Sequence, residues 1–148
     1  MTDKKPVKIM QSIQAELKAP KGQTNKFGGY SYRSAEDILE AVKPLLNKYD
    51  CFLTVSDEIV EVGGRVYVKS TASLQESHRD TVAEVSAFAR EAETKKGMDE
   101  AQITGSASSY ARKYALNGLF AIDDTKDPDA TNKHGKDSPK PVNKTVEF

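Results

Sequence analysis

Residues 51–74 read CFLTVSDEIVEVGGRVYVKSTASL, and this stretch decides the fold. Cys51 to Val62 is rich in β-branched and aromatic residues, which suit a pleated, half-buried surface. Gly63-Gly64 follows, a pair that adopts positive φ angles at no steric cost and closes a tight hairpin. From Arg65 to Leu74 the chain alternates. Arg65, Tyr67, Lys69 and Thr71 fall on one side, and Val66, Val68, Ser70 and Ala72 on the other, so the return strand has a polar face and an apolar face. Thr81 to Arg90, with Val82, Val85 and Phe88, predicts a third strand.

Helices are expected on both sides of this meander. Val7, Met10, Ile13 and Leu17 recur at spacings of three and four, predicting a helix over Val7 to Lys18 that Pro20 and Gly22 stop. Residues 21–33, KGQTNKFGGYSYR, read as a polar, glycine-bearing loop. Ser34 followed by Asp37 has the form of an N-cap with an acid in the first turn. A second helix then carries Ile38, Leu39, Val42, Leu45, Leu46 and Tyr49, and Pro44 is expected to kink it or end its first part. A charged loop around Lys95-Lys96-Gly97 leads to Asp99, a further N-cap, and a last helix from about Glu100 to Leu119. The order α-α-β-β-β-α makes an α+β fold, an antiparallel three-stranded β-meander with packed helices.

Composition narrows the function. The chain has 148 residues with 22 Lys+Arg and 22 Asp+Glu, a formal net charge of zero, which excludes binding through a wholesale basic surface but leaves room for a basic groove balanced elsewhere. Residues 1–30 are the basic part and residues 31–60 the acidic part. No stretch approaches the roughly 18 apolar residues of a membrane span. The start, MTDKKPVKIMQSIQAELK, lacks the apolar core and small-residue cleavage site of a secretory signal, and Cys51 is the sole cysteine, so a reducing cytoplasmic setting is expected. From Asp123 to Phe148 only Ala130, Val142, Val146 and Phe148 are aliphatic or aromatic, and a flexible polar tail is expected there. The expected division is therefore a folded domain over 1–122 and a tail over 123–148.

No catalytic constellation is present: the chain has no GxxxxGK[ST], GxGxxG, HExxH or GxSxG, so neither an enzyme nor a nucleotide or metal cofactor is expected. His78 and His134 are too far apart in sequence to suggest a zinc site with one cysteine. Asp123, Asp124, Asp127 and Asp129 offer oxygen ligands but miss the EF-hand spacing.

Three basic–aromatic sets stand out instead. The first is the loop Lys26-Phe27-Gly28-Gly29-Tyr30-Ser31-Tyr32-Arg33. The second is the strand face Arg65, Tyr67, Lys69. The third is the last helix, ITGSASSYARKYALNGLF, where Tyr110, Lys113, Tyr114 and Asn117 share one face and Arg112 lies about 100° away. Cations beside aromatic rings hold single-stranded nucleic acid, by neutralising phosphates and stacking bases. Each set alone also reads as an ordinary solvated or core-edge surface. A sheet with a flanking helix is expected to bring all three to one groove. The Gly, Ala and Ser of the last helix are expected to let it pack closely, through Gly105, Ala107, Ala111 and Ala115. The candidate DNA-binding residues are Lys26, Tyr30, Tyr32, Arg33, Arg65, Lys69, Tyr110, Arg112, Lys113 and Tyr114.

Tyr30-x-Tyr32-Arg33 ahead of a helix ending Lys43-Pro44-Leu45-Leu46, the meander, and then Gly105-Ser106-Ala107-x-x-Tyr110-Ala111-Arg112-Lys113-Tyr114-Ala115-Leu116 with Asp123-Asp124 resembles the ERF family, the essential recombination function proteins of phages and prophages. The resemblance covers roughly residues 5 to 124. It implies an ATP-independent mediator of phage homologous recombination that binds single-stranded DNA and anneals complementary strands. It also implies a homo-oligomeric ring or filament and a distant likeness to the Rad52 β-β-β-α core. A single-strand binding protein or a phage exonuclease is left open as a further partner, and the setting is then the bacterial host cytoplasm. Two readings of other classes remain beside it: an oligomeric protein-interaction module that binds no nucleic acid, and a nuclease using the acidic cluster at Asp123.

Overall fold

The computed structural model describes residues 6–25, 27–78 and 81–122. Lys26, the acidic cluster and the whole stretch 123–148 lie outside them. The elements in order are α1 (Pro6–Glu16), β1 (Gln23–Asn25), β2 (Tyr30–Tyr32), α2 (Ala35–Lys48), β3 (Cys51–Val62), β4 (Arg65–Glu76), β5 (Thr81–Arg90) and α3 (Glu100–Phe120). The expected α+β meander is present: β3, β4 and β5 form one antiparallel sheet in that order. Gly63 and Gly64 turn the first hairpin at φ of 59° and 77°, the left-handed region that glycine enters freely.

Register assigns the faces. Asp57 pairs with Ser70, Val55 with Ala72 and Leu53 with Leu74, and Ala87 and Val85 continue these rows on β5. This face is covered by the helices; Val68, Ser70, Ala72 and Leu74 are all buried on it. The opposite face carries Phe52, Glu58, Arg65, Tyr67, Lys69 and Phe88. The core gathers Ile9 and Ile13 of α1, Ile38 and Val42 of α2, Leu74 of β4, and Leu116, Leu119 and Phe120 of α3. Burying side chains of this size contributes about 1.5–3 kcal/mol each.

The caps on α2 and α3 are both capping boxes. Ser34 Oγ accepts the Asp37 N–H and Asp37 answers to Ser34 N–H, while Asp99 and Gln102 do the same for α3.

Four expectations are corrected. Residues 21–33 are not an irregular loop: β1 and β2 pair antiparallel, Gln23 with Tyr32 and Asn25 with Tyr30. The Asn25 side-chain oxygen accepts the N–H groups of Phe27 and Gly28 at 2.8 and 2.9 Å, and Gly29 sits at φ 65°, so local turn chemistry closes a hairpin. Pro44 neither ends nor splits α2, which runs through it to Lys48. Pro44 is exposed, on the side of α2 away from the core, and Leu45 and Leu46 beyond it still pack on the core. Finally, Gly105 is not a close-packing contact. A Cβ built there meets nothing within 4 Å, whereas one at Gly118 comes within 3.0 Å of the Val85 Cγ1. The close approach of α3 runs instead through Ala107, Ala111, Ala115 and Gly118. The first helix is also shorter than predicted, ending at Glu16.

Candidate nucleic-acid interface

The β1–β2 hairpin is fixed to the start of α2 by one carboxylate. Asp37 accepts from Ser34 N–H at 2.9 Å, Gly22 N–H at 3.3 Å and the Gln23 amide at 3.4 Å. Burial pushes this carboxyl up, but the bonds from Ser34, Gly22 and Gln23 outweigh it and hold its pKa below the ordinary value. Arg33 leaves the hairpin and is 9% exposed; its Nε donates to the Ala19 carbonyl at 2.6 Å.

On α3, alternate sides do different work. Ala107, Ala111 and Ala115 are buried toward the sheet. Lys113 is turned toward the hairpin and is only 5% exposed. Between hairpin and helix lies a cleft of about 570 Å³. Tyr32 and Arg33 line it from one side, Tyr110 and Lys113 from the other, with Ser106 and Ser109 between, and Glu36 is its one acid among the lining residues. Two cations with aromatic neighbours in one concave site suit an anionic ligand that also has flat apolar faces. The Tyr110 and Tyr114 rings lie 6.2 Å apart at 32°, and both remain about half exposed.

Arg112 goes elsewhere. Its Nε and Nη2 each reach the Asp57 carboxylate at 3.2 Å, and that carboxylate also accepts from Ser70 Oγ at 2.7 Å and Ser108 Oγ at 2.6 Å. One acid on β3 thus clasps β4 and α3 together. Burial raises the Asp57 pKa, yet the bonds from Ser108, Ser70 and Arg112 and the Arg112 charge more than reverse this and lower it. The sequence signal was an acid at an inward position of β3 facing a helix of small hydroxylated residues.

The structure therefore brings together four of the candidate residues, Tyr32, Arg33, Tyr110 and Lys113, with Tyr114 beside them. It does not bring in Arg65 and Lys69, which lie on the sheet face turned away from the helices; Lys69 Nζ stands 5.9 Å over the Phe88 ring. The Tyr30 backbone is in β2, but its side chain, like all of Lys26, is outside the described atoms. The expectation of a single groove for all three sets fails because strand alternation and helix packing place them on opposite faces. Among the described residues no group of three or more His, Cys, Asp or Glu is placed to hold a metal, and no helix is long and apolar enough to cross a membrane.

A long helix laid across an antiparallel meander, with a cationic and aromatic cleft along its flank, defines an α+β domain. The chain belongs to the ERF superfamily, whose family model matches residues 7–147. That match runs on past residue 124, where the sequence resemblance had stopped. The chain is also similar to the essential recombination function protein of Salmonella phage P22, at 54% identity over 136 residues, covering 92% of this chain and 64% of that protein. It thus spans just under two thirds of the length of that relative. No solved structure matches it.

Proposed function

We propose that the chain binds single-stranded DNA and anneals complementary strands without ATP, as part of phage homologous recombination, acting as a homo-oligomer rather than as an enzyme. The observation that carries this reading is the cleft in which Arg33 and Lys113, drawn from distant parts of the chain, sit nearly buried beside Tyr32 and Tyr110. Cations cost free energy to bury and are kept there for an anionic partner or a structural one. Placed in a concave site with exposed rings, they match the alternation of phosphate and base along a single strand. Family membership and the name of the phage P22 relative agree with it.

Annealing uses no bond-breaking chemistry. It needs strands held extended, with phosphate repulsion neutralised and bases open to a complement. Fixed charge on α3 and the capped hairpin would supply the first part. Assembly of several copies would lengthen the track, and the exposed Phe52 and Phe88 on the sheet face away from the helices offer apolar surface for contact.

The test mixes two complementary labelled oligonucleotides with protein, in EDTA and without nucleotide. Pairing faster than in buffer alone is expected. Pairing no faster than in buffer, restored by ATP and magnesium, refutes the reading.

A further inference from the structure

A second cleft, of about 330 Å³, opens on the far side of Tyr110. It shares Ser106 and Tyr110 with the first, so the two sites are continuous across one ridge of α3. Tyr114 and Ala107 wall it from the helix, and Arg90, Lys95 and Met98 rim it from β5 and the turn that follows. Resting on the reading just given, we propose that this second cleft is a further subsite of the same single-strand track, taking the next nucleotide after the strand crosses Tyr110, with Arg90 and Lys95 as phosphate contacts.

Three observations support that occupant. The first is charge: no carboxylate lines the second cleft, while Lys95 does, and so does Arg90, which stands at the sheet edge although its side chain leaves β5 on the Tyr67 face. A third cleft nearby has the opposite balance, with Glu91, Glu93 and Glu100 against Arg65. The second is backbone chemistry. β5 is an edge strand. Glu91 N–H donates inward to the Val66 carbonyl at 2.8 Å. In antiparallel alternation this directs the main-chain N–H and C=O of Arg90 and Phe88 outward, away from β4 and toward the cleft they line. Such an edge offers donors and acceptors to any base, which suits binding without sequence preference. The third is size. At about 330 Å³ the cleft is near the lower end of the roughly 300–1,000 Å³ typical of small-molecule sites, room for a base with its sugar. The turn holding Lys95 is closed by Met98 N–H to the Lys95 carbonyl at 3.0 Å with Gly97 at φ 80°.

The experiment uses the full chain, a fluorescent oligothymidylate, and anisotropy over a range of salt, comparing wild type with Arg90→Ala/Lys95→Ala and with Arg33→Gln/Lys113→Met. A phosphate contact on a single strand contributes about 0.7 to the salt slope, or about fivefold in affinity at 0.1 M salt. The Arg90/Lys95 variant should thus bind about 25-fold more weakly, with a slope smaller by about 1.4, and elute unchanged on size exclusion. Unchanged affinity and slope in this variant, while Arg33/Lys113 still weakens binding, overturns the subsite and leaves the first cleft standing. If wild type itself does not bind, the parent reading falls and the subsite with it. A second measurement does not depend on the variants folding. Iodouracil placed in the oligonucleotide should photo-crosslink wild-type protein at Tyr114 or Met98 as well as in the first cleft; crosslinks confined to the first cleft overturn the proposal.

Discussion

Replacing Asp57 with alanine should cost stability rather than DNA affinity. The substitution removes two hydroxyl-to-carboxylate bonds, at 2.7 and 2.6 Å, and the paired contacts from Arg112 at 3.2 Å. The side chains of Arg112 and Asp57 are 39% and 26% exposed, so solvent screens the ion pair to about 0.5 kcal/mol. The hydroxyl bonds contribute about 1 kcal/mol each at this exposure. The total, about 2.5 kcal/mol, corresponds to a fall in melting temperature of roughly 7–10 °C for a domain of this size. Arg112→Ala should lower it by only a few degrees, because Ser70 and Ser108 remain on the carboxylate. The double variant should show a coupling of roughly 0.5 kcal/mol between the two residues. The assay is thermal melting by circular dichroism of the two single variants and the double, with an oligonucleotide salt titration beside it. An Asp57→Ala protein that melts with wild type would refute the clasp. So would an Arg112→Ala protein that melts with wild type while flattening the salt slope as much as Lys113→Met does; the guanidinium would then serve DNA and not the fold.

Because the Asp57 pKa is lowered on folding, its contribution is complete above the unfolded carboxylate value of about 3.9 and is lost as pH falls through the lower folded value; acid melts should show wild type and Asp57→Asn converging as pH drops below about 4. Lys113→Met should preserve the fold, since the methionine keeps most of the buried stem, yet weaken oligonucleotide binding by about fivefold at 0.1 M salt by anisotropy. Gly105→Ala, in an exposed helical position with open space around its Cβ, should raise stability by about 0.5–1 kcal/mol, whereas Gly118→Val should lower it against Val85, both read by denaturant unfolding. The Cys51 thiol is pushed up to about 11, by burial first and then by the charges of Glu76 and Asp50, so a disulfide reagent at pH 8 should label it only as the protein unfolds.

The meander was legible because strand alternation and a Gly-Gly turn are local signals: Cys51–Val62 and Thr81–Arg90 match the structure residue for residue. The α2 and α3 starts were equally plain, since a capping box lies within four consecutive residues. The small hairpin was missed because its strands are three residues each, too short for periodicity to show. Asn25 and Gly28-Gly29 did hold the turn signal. Pro44 misled because intrinsic propensity is a weak prior against a core that continues through Leu45 and Leu46. At the candidate site, residue types were readable but their sides were not. Arg112 and Lys113 are neighbours in sequence, and only the packing of Ala107, Ala111 and Ala115 on the sheet decides which one faces Asp57 and which one faces the hairpin. Nothing in the local sequence of Arg90, or of the charged loop at Lys95, separates them from solvated charge.

The poor helix formers in α3 also bear on the order of events in folding. With Gly105, Gly118 and three serines in its length, this segment has little reason to be helical alone. The β3–β4 hairpin closes through residues near in sequence, whereas α3 depends on packing against the sheet for its support. The Asp57 clasp closes contacts 51 and 55 residues apart in sequence, the sort of long-range closure that sets a slow rate. Both clefts share α3 as a wall. A chain that has not yet seated this helix would lack the wall both clefts share, and with it Leu116, Leu119 and Phe120 of the core, so on the proposed function competence to bind would arrive together with the core.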